Sequence, residues 1–134
     1  MPPDIDWSDF QERAERANQI PDPGEYMLMC TSAEWDKTKD GLKDMLVLRH
    51  ILVDEPDFDG FDIMTFQAYS PESRFADKMF ADLLAAHQVD PMKDADGDSN
   101  VIAELCVSKT VTGVLEHTEY RGQTRARIRS FSAA

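Results

Sequence analysis

The segment KTVTGVLEHTEYRGQTRARIRSF, residues 109–131, decides the fold of this chain. Residues typical of strands stand on both sides of a short polar stretch, Glu119 to Gln123. Gly122 within that stretch supplies the positive φ that a tight or bulged hairpin needs. The segment therefore predicts a closing β-hairpin.

Three further strands are predicted before this hairpin. Residues 25–35 and 61–69 alternate between the two faces, and residues 45–53 are apolar on both faces except for Arg49 and His50. The polar stretches 36–41 and 54–60 each end in glycine and predict turns. Three consecutive antiparallel strands form a meander.

The periodicity between meander and hairpin is helical. Five apolar residues and one histidine follow the spacing of an amphipathic helix: Phe75, Met79, Phe80, Leu83, Leu84 and His87. We predict that Ser70 caps this helix and that Pro71 occupies its first turn. Residues 89–100 contain Pro91 and four aspartates and predict a solvated loop, followed by one or two helical turns over 101–107.

Residues 1–20 are predicted to form a helical extension. A helix over residues 6–17 would place one stripe of side chains against the rest of the protein: Trp7, Phe10, Ala14 and Ala17. The prolines and glycine of residues 21–24 disfavour its continuation. We therefore expect an N-terminal brace followed by one domain over 21–134.

The predicted order is β-β-β-α-β-β, a mostly β protein with one long helix. Five short strands with a helix between the third and fourth are typical of the OB-fold, a partly open five-stranded barrel whose outer face often binds single strands. A two-layer α+β sheet with the helix packed across it is the alternative.

Composition narrows the function classes. The length of 134 residues fits one domain. The net charge of −12 argues against a generally basic nucleic-acid binder or a membrane-surface protein. No apolar run approaches the roughly 18 residues needed to span a bilayer, and the acidic start does not resemble a signal peptide. We expect a soluble protein of the cytoplasm.

The charge is unevenly distributed along the chain. Residues 109–134 contain five Lys and Arg against two Glu, a net charge of +3, which leaves −15 for residues 1–108. Arg125, Arg127 and Arg129 alternate along the last strand and are predicted to share one face with Phe131. Such a row can follow a phosphate backbone while a ring stacks on a base. An exposed strand with arginines for solubility and edge protection explains the pattern equally well.

Other side chains could complete a nucleic-acid site. Lys109 and Arg121 are predicted to contact phosphates, and Tyr120 and Trp35, with Phe131, to stack on bases. Phe66 and Tyr69 are further rings near strand ends, for which a place in the core is the simpler expectation.

The sequence indicates no enzyme, cofactor or metal site. Cys30 and Cys106 lie far apart without metal-ligand spacing and predict buried free thiols. The histidines fall on different elements, outside any nucleophile motif, and are expected to be structural or surface residues: His50, His87 and His117. Residues 94–100 begin like a calcium loop but have Ser99 where glycine is needed and Leu105 where a bidentate Glu is needed, so we expect a solvated turn.

Several short motifs resemble a known family. They are PGEY at 23–26, TKDG at 38–41 leading into MLVL at 45–48, and HTEYRGQTRARI at 117–128 with Phe131. In this order they resemble a family of small phage and prophage proteins, catalogued as a domain of unknown function and encoded near recombination and replication genes. The resemblance covers about residues 20–131. It implies an OB-like fold and the handling of single-stranded DNA, and it implies no catalytic residues. If a phage encodes the protein, the cytoplasm in which we expect it is that of the host cell.

Two functions of different classes follow. The first is single-stranded DNA binding without sequence specificity in phage replication or recombination, and the second is an acidic interaction module or DNA mimic that binds a basic phage or host protein. The chain ends Phe131-Ser132-Ala133-Ala134, unlike the acidic tails through which many single-stranded DNA-binding proteins recruit partners, so recruitment by such a tail is not expected. Pairing of edge strands would allow a homodimer.

Overall fold

A computed structural model describes the backbone of residues 1–134 and every side chain except those of Arg16 and Ala17. The strands are β1 (Gly24–Lys37), β2 (Asp44–Leu52), β3 (Asp62–Ala68), β4 (Thr110–Tyr120) and β5 (Gln123–Ala133). The helices are α1 (Phe10–Ala17), α2 (Arg74–Ala86), α3 (Pro91–Ala95) and α4 (Ser99–Cys106), with a short 3₁₀ turn at Pro56–Phe58.

The five strands form one antiparallel sheet in the order β3-β2-β1-β4-β5. The mostly β fold and the predicted meander and closing hairpin are thereby confirmed. The hairpin turns at Arg121 and Gly122, with φ angles of 51° and 78°. Two consecutive positive φ angles are the geometry of a type I′ turn, whose twist matches that of the flanking strands.

The sheet is not closed into a barrel. Strands β3 and β5 are its two edges, and no ladder joins them within the described chain. Helix α2 packs against β3 and β5, and α4 packs against β1, so the helices cover one face of the sheet. We call this covered side the inner face and the opposite side the outer face.

The expectation of one long helix was wrong, because three helices lie between β3 and β4. Ser73, not Ser70, caps α2 by accepting a hydrogen bond from the Ala76 amide at 3.2 Å. The predicted loop over 89–100 contains α3, and the carboxylates of Asp90 and Asp98 cap α3 and α4. Aspartate is a favoured N-cap residue, so these two aspartates mark the beginnings of helices and not a continuous loop. The predicted turns over 101–107 are confirmed as α4.

The core lies between the inner face and the helices. Leu46 and Leu48 of β2 contact a cluster that includes Phe80 and Leu83 of α2 and Ile102 of α4. A second cluster on the same face includes Leu28, Leu52, Ile63, Val111, Leu115 and Ile128. Alternate residues of each strand therefore point into the core, and the residues between them line the outer face.

The N-terminal helix is shorter than predicted and does not bury its aromatic side chains. Trp7 and Phe10 pack edge to face at 4.9 Å, and both remain about half exposed. Trp7 and Phe10, two members of the predicted stripe, are therefore not buried against the domain. The side chain of Ala17, another member, lies outside the described residues. The chain contacts the sheet after α1, where the ring Nε2 of His117 hydrogen-bonds the Pro21 carbonyl at 2.7 Å. None of the helices described here is long and apolar enough to cross a membrane.

Candidate nucleic-acid interface

The β4–β5 hairpin brings part of the predicted site together on the outer face. Its register pairs Glu116 with Arg127 and Thr118 with Arg125, and it places Tyr120 opposite Gln123. Directly paired residues in a sheet point to the same face. Tyr120, Arg125 and Arg127 therefore lie along one side of the hairpin, as the sequence predicted for the two arginines.

Tyr120 is the centre of this group. Its side chain is 49% exposed, and the guanidinium carbons of Arg121 and Arg125 lie 5.2 Å and 5.1 Å from its ring centroid. Both distances are within the range of cation–π attraction. The turn thus presents an aromatic ring with two positively charged groups against it.

The remaining arginines differ in their surroundings. Arg127 forms an ion pair with Glu116, Nε to Oε1 at 3.1 Å. Arg129 is the extra residue of a β-bulge, since the register passes from Val114–Ser130 to Leu115–Ile128. Among the described residues, Arg121, Arg125 and Arg129 have no ion-pair partner.

The bulge explains why the placement of Phe131 was wrong. One extra residue in a strand reverses the alternation of faces that follows it. Phe131 therefore points inward, like Ile128, and packs against both core clusters. Its ring centroid lies 5.1 Å from that of His50 and 5.6 Å from that of His87, so it does not share the face of the arginines.

Trp35 and Lys109 also lie apart from the hairpin turn. Trp35 is eleven residues along β1 from Gly24, which pairs with Leu115, so it stands at the opposite end of the sheet from Tyr120. Its indole donates a hydrogen bond to the Ser99 carbonyl of α4 at 2.8 Å, and its ring stacks on Phe80 of α2, so Trp35 joins both helices to the sheet.

Lys109 precedes β4, whose other end is Tyr120. The two are separated by about 35 Å of extended strand. Desolvation lowers the pKa of His87, and the charge of Lys109 adds a smaller lowering. Desolvation raises the pKa of Cys106 to about 12, and the charge of Lys109 opposes that rise only weakly. Lys109 is therefore a neighbour of the core and not of the predicted phosphate contacts.

An apolar patch lies on the outer face, where the sequence did not predict one. Met27, Met64 and Phe66 are 43%, 44% and 59% exposed on β1 and β3, and half-buried side chains lie among them: Met29, Met45, Val47 and Ile51. Arg49 crosses this patch, paired with Asp62 at 3.2 Å. The signal in the sequence is the apolar character of residues 45–53 on both faces of the predicted strand. Tyr69 is 51% exposed and meets Phe80 edge to face.

A second group missed in the sequence lies in the core. One ligand atom each from Cys30 of β1, His50 of β2 and His87 after α2 lie within 4.8 Å of one another, and all three residues are buried. They are separated by 20 and 37 positions in sequence, so no local spacing reveals them. Antiparallel pairing of Cys30 with His50 and the packing of α2 on the sheet bring them together.

The hydrogen bonds of this cluster fix the proton positions. His87 Nδ1 lies 2.7 Å from the Leu83 carbonyl, which can only accept, so Nδ1 donates and Nε2 of the neutral ring accepts. His50 Nε2, at 2.8 Å, must then be the donor to His87 Nε2. This leaves Nδ1 of His50 with a lone pair that has no partner among the described residues.

Burial keeps the cluster uncharged. Desolvation, with the neighbouring His87, lowers the pKa of His50 to about 3. Desolvation also raises the pKa of the Cys30 thiol to about 11, against a smaller lowering by a hydrogen bond with the backbone of Ser32. Near neutral pH both imidazoles are neutral and Cys30 is a thiol, which confirms the prediction of buried free thiols for Cys30 and Cys106.

Comparison with known proteins returned no match, neither to a protein-family model nor to a curated protein.

Proposed function

We propose that this protein binds single-stranded DNA without sequence specificity, as part of phage DNA replication or recombination. The proposed contact is the hairpin surface, defined as the outward side chains at the turn and along β5: Tyr120, Arg121, Arg125, Arg127 and Arg129. Phe131, Trp35 and Lys109 are not part of this surface.

The observation that supports the proposal most directly is the half-exposed Tyr120 ring with two guanidinium groups against it. Stacking of a base on an aromatic side chain is worth about 1–3 kcal/mol and tolerates any base. A base that stacks on Tyr120 would take the place of one guanidinium, which could then turn to a neighbouring phosphate. The ring and the arginines would thus bind the two chemical parts of one nucleotide.

Charge favours a local contact over an extended one. Residues 1–108 have a net charge of −15 and would repel a phosphate backbone, whereas residues 109–134 have a net charge of +3. We therefore expect a short site of a few nucleotides with weak affinity that falls as salt rises. The Glu116 carboxylate competes with phosphate for Arg127.

The phage context rests on the sequence motifs. The resemblance to phage and prophage proteins implies an OB-like fold, and a meander followed by helices and a hairpin is compatible with such a barrel opened between β3 and β5. We propose the OB relationship on these grounds.

A titration of labelled oligo-dT followed by fluorescence anisotropy tests the function. We expect saturable binding at low salt, weaker binding at physiological salt, and a preference over duplex DNA. The double variant Arg121→Ala/Arg125→Ala should lose most of the binding. Arg74→Ala/Arg13→Ala removes the same charge from exposed positions on α2 and α1 and should bind nearly as well as the parent. A flat titration at low salt, or equal losses in both double variants, would reject the hairpin surface.

The apolar patch on the outer face favours a second candidate, an acidic interaction module. Exposed Met and Phe side chains on the uncovered face of a sheet are typical of protein contact sites. Combined with the charge of residues 1–108, the patch fits a basic protein partner from a phage or its host. Absence of DNA binding, together with salt-sensitive binding to a basic phage or host protein that Phe66→Ser weakens, would favour this function over the first.

A further inference from the structure

We propose that Cys30, His50 and His87 form a binding site for a zinc ion. This site lies in the core between β1, β2 and the end of α2, and it is independent of the hairpin surface. The zinc ion would join the two central strands to the helix that covers them.

The donor set has the chemistry of a zinc site. Zinc prefers thiolate sulfur and imidazole nitrogen, which are the donors present here. With bonds of about 2.0–2.1 Å to nitrogen and 2.3 Å to sulfur, two ligand nitrogens of a tetrahedral site lie about 3.3 Å apart, and nitrogen and sulfur about 3.6 Å apart. The three donor atoms already lie within 4.8 Å of one another, and the two Nε2 atoms are 2.8 Å apart. Zinc would need to separate these nitrogens by about half an ångström.

His87 is already in the tautomer that metal binding requires. Its Nδ1 donates to the Leu83 carbonyl, which leaves the lone pair of Nε2 directed at the cluster. Metal-bound histidines characteristically donate their other nitrogen to a carbonyl or carboxylate in this way, which fixes the ring orientation. The last turn of α2 therefore supplies an outer-sphere partner as well as a ligand.

His50 can adopt the matching tautomer. Its Nε2 proton now bonds to His87, and it would move to Nδ1, so that both Nε2 lone pairs face the ion. The shift breaks the hydrogen bond from His50 to His87, which two zinc–nitrogen bonds would replace. Nδ1 of His50, which would receive the proton, has no hydrogen-bond partner among the described residues. Cys30 would release its thiol proton to solvent as the zinc–sulfur bond forms.

The three residues determine the charge of the zinc complex and leave one coordination position open. One thiolate and two neutral imidazoles leave a net charge of +1 on the zinc complex, and the nearby Lys109 ammonium opposes it. The three residues leave the fourth tetrahedral position to a water or another small donor. Cys106, which is buried in the same core cluster, is not within the 4.8 Å group.

Cobalt provides a direct spectroscopic test, because Co²⁺ takes zinc sites and gives a thiolate charge-transfer band. Full-length protein treated with chelator and then freed of it would be titrated with Co²⁺ in the absence of DNA. We expect one equivalent to produce the thiolate band together with visible bands of tetrahedral cobalt, and Zn²⁺ to abolish both. His87→Gln should weaken binding at least tenfold.

The two buried cysteines offer a matched control. Cys30→Ser should lose the thiolate band, and Cys106→Ser, the same substitution at the other buried thiol, should keep it. Circular dichroism of each variant establishes whether it is folded. The proposal is overturned if the folded parent gives no thiolate band, if the band survives Cys30→Ser, or if Cys106→Ser removes it. DNA binding is measured separately, so the failure of either proposal leaves the other intact.

Discussion

His50 and His87 share a buried hydrogen bond, with their Nε2 atoms 2.8 Å apart, and neither side chain is exposed. The bond joins β2 to the end of α2, and the ring of Phe131 from β5 packs against both imidazoles. Three elements that are distant in sequence are thereby held at one point of the core. The protonation state of this pair should consequently affect the stability of the whole domain.

The first prediction concerns acid stability of the metal-free protein. Burial lowers the pKa of His50 to about 3, and it also lowers that of His87, whereas unfolded histidine titrates near 6.5. Between these values the unfolded chain binds more protons than the folded one, so stability is complete above about pH 6.5 and is lost as the pH falls toward 3. His50 alone should contribute a slope of about 1.4 kcal/mol per pH unit over most of this window. Urea unfolding between pH 7 and pH 4.5, with chelator present, measures it.

A variant that lacks both imidazoles separates this effect from that of the carboxylates. The double variant His50→Phe/His87→Leu replaces both partners of the imidazole hydrogen bond by apolar groups. Neither ring is then left as a buried donor or acceptor without its partner. The carboxylates are the same in both proteins. We expect a distinctly shallower pH dependence in the variant, and identical slopes would contradict a neutral buried pair.

The second prediction concerns Gly113, a buried residue of β4 that faces the core. A Cβ atom at this position would collide with Cδ1 of Leu28, which is fully buried and cannot move into solvent. Gly113→Ala should therefore cost about 1–3 kcal/mol in the free energy of unfolding, the usual penalty of overpacking. Thr112→Ala, on the neighbouring outward position, is the control and should cost less. A denaturation midpoint unchanged by Gly113→Ala would show that Leu28 can repack.

Local patterns in the sequence predicted the strands well. Each strand has its own alternation, and the positive φ needed at the β4–β5 turn is visible as Gly122. Closure of the barrel could not be predicted, because it depends on whether β3 and β5 form a hydrogen-bonded ladder, a pairing between residues far apart in the chain. Helix α3 was not predicted, because aspartate is common both in loops and at helix N-caps, and Asp90 and Asp98 are N-caps here.

The candidate site was partly predictable for similar reasons. Alternation placed Arg125 and Arg127 on one face correctly, whereas the bulge at Arg129 reversed the face of Phe131. A bulge inserts one residue without a sequence signal that alternation can detect. The cluster of Cys30, His50 and His87 forms only through strand pairing and helix packing, so its members appeared unrelated in the sequence.

The third prediction concerns the ion pair between Arg127 and Glu116 on the hairpin surface. The side chains of Arg127 and Glu116 are 61% and 37% exposed, and ion pairs in contact with solvent are worth about 0.2–1 kcal/mol. Glu116→Gln frees Arg127 and should tighten oligo-dT binding by up to about fivefold at low salt. Glu119→Gln makes the same change in net charge on the other face of the hairpin, so anisotropy titrations should show a smaller gain. Equal gains would indicate that only overall charge matters and that Arg127 does not contact DNA.

The fourth prediction concerns Arg121, which adopts a left-handed φ of 51° in the β4–β5 turn. This region is unfavourable for side chains with a Cβ atom, and asparagine tolerates it better than arginine. Arg121→Asn would create the Asn-Gly pair preferred in type I′ turns. We expect the free energy of unfolding to rise by about 0.5–1 kcal/mol, the usual size of such turn optimisation.

The same substitution should weaken DNA binding, because it removes one of the two guanidinium groups at Tyr120. Loss of one phosphate contact should reduce the slope of log K against log salt by about 0.7. Arg125→Asn is the matched control: it removes the same charge from a strand position, so binding should fall without a gain in stability. Arg121 does not contact DNA if Arg121→Asn leaves both the affinity for oligo-dT and its salt dependence unchanged. The proposed contact at the turn would then be wrong, even if the substitution stabilises the fold.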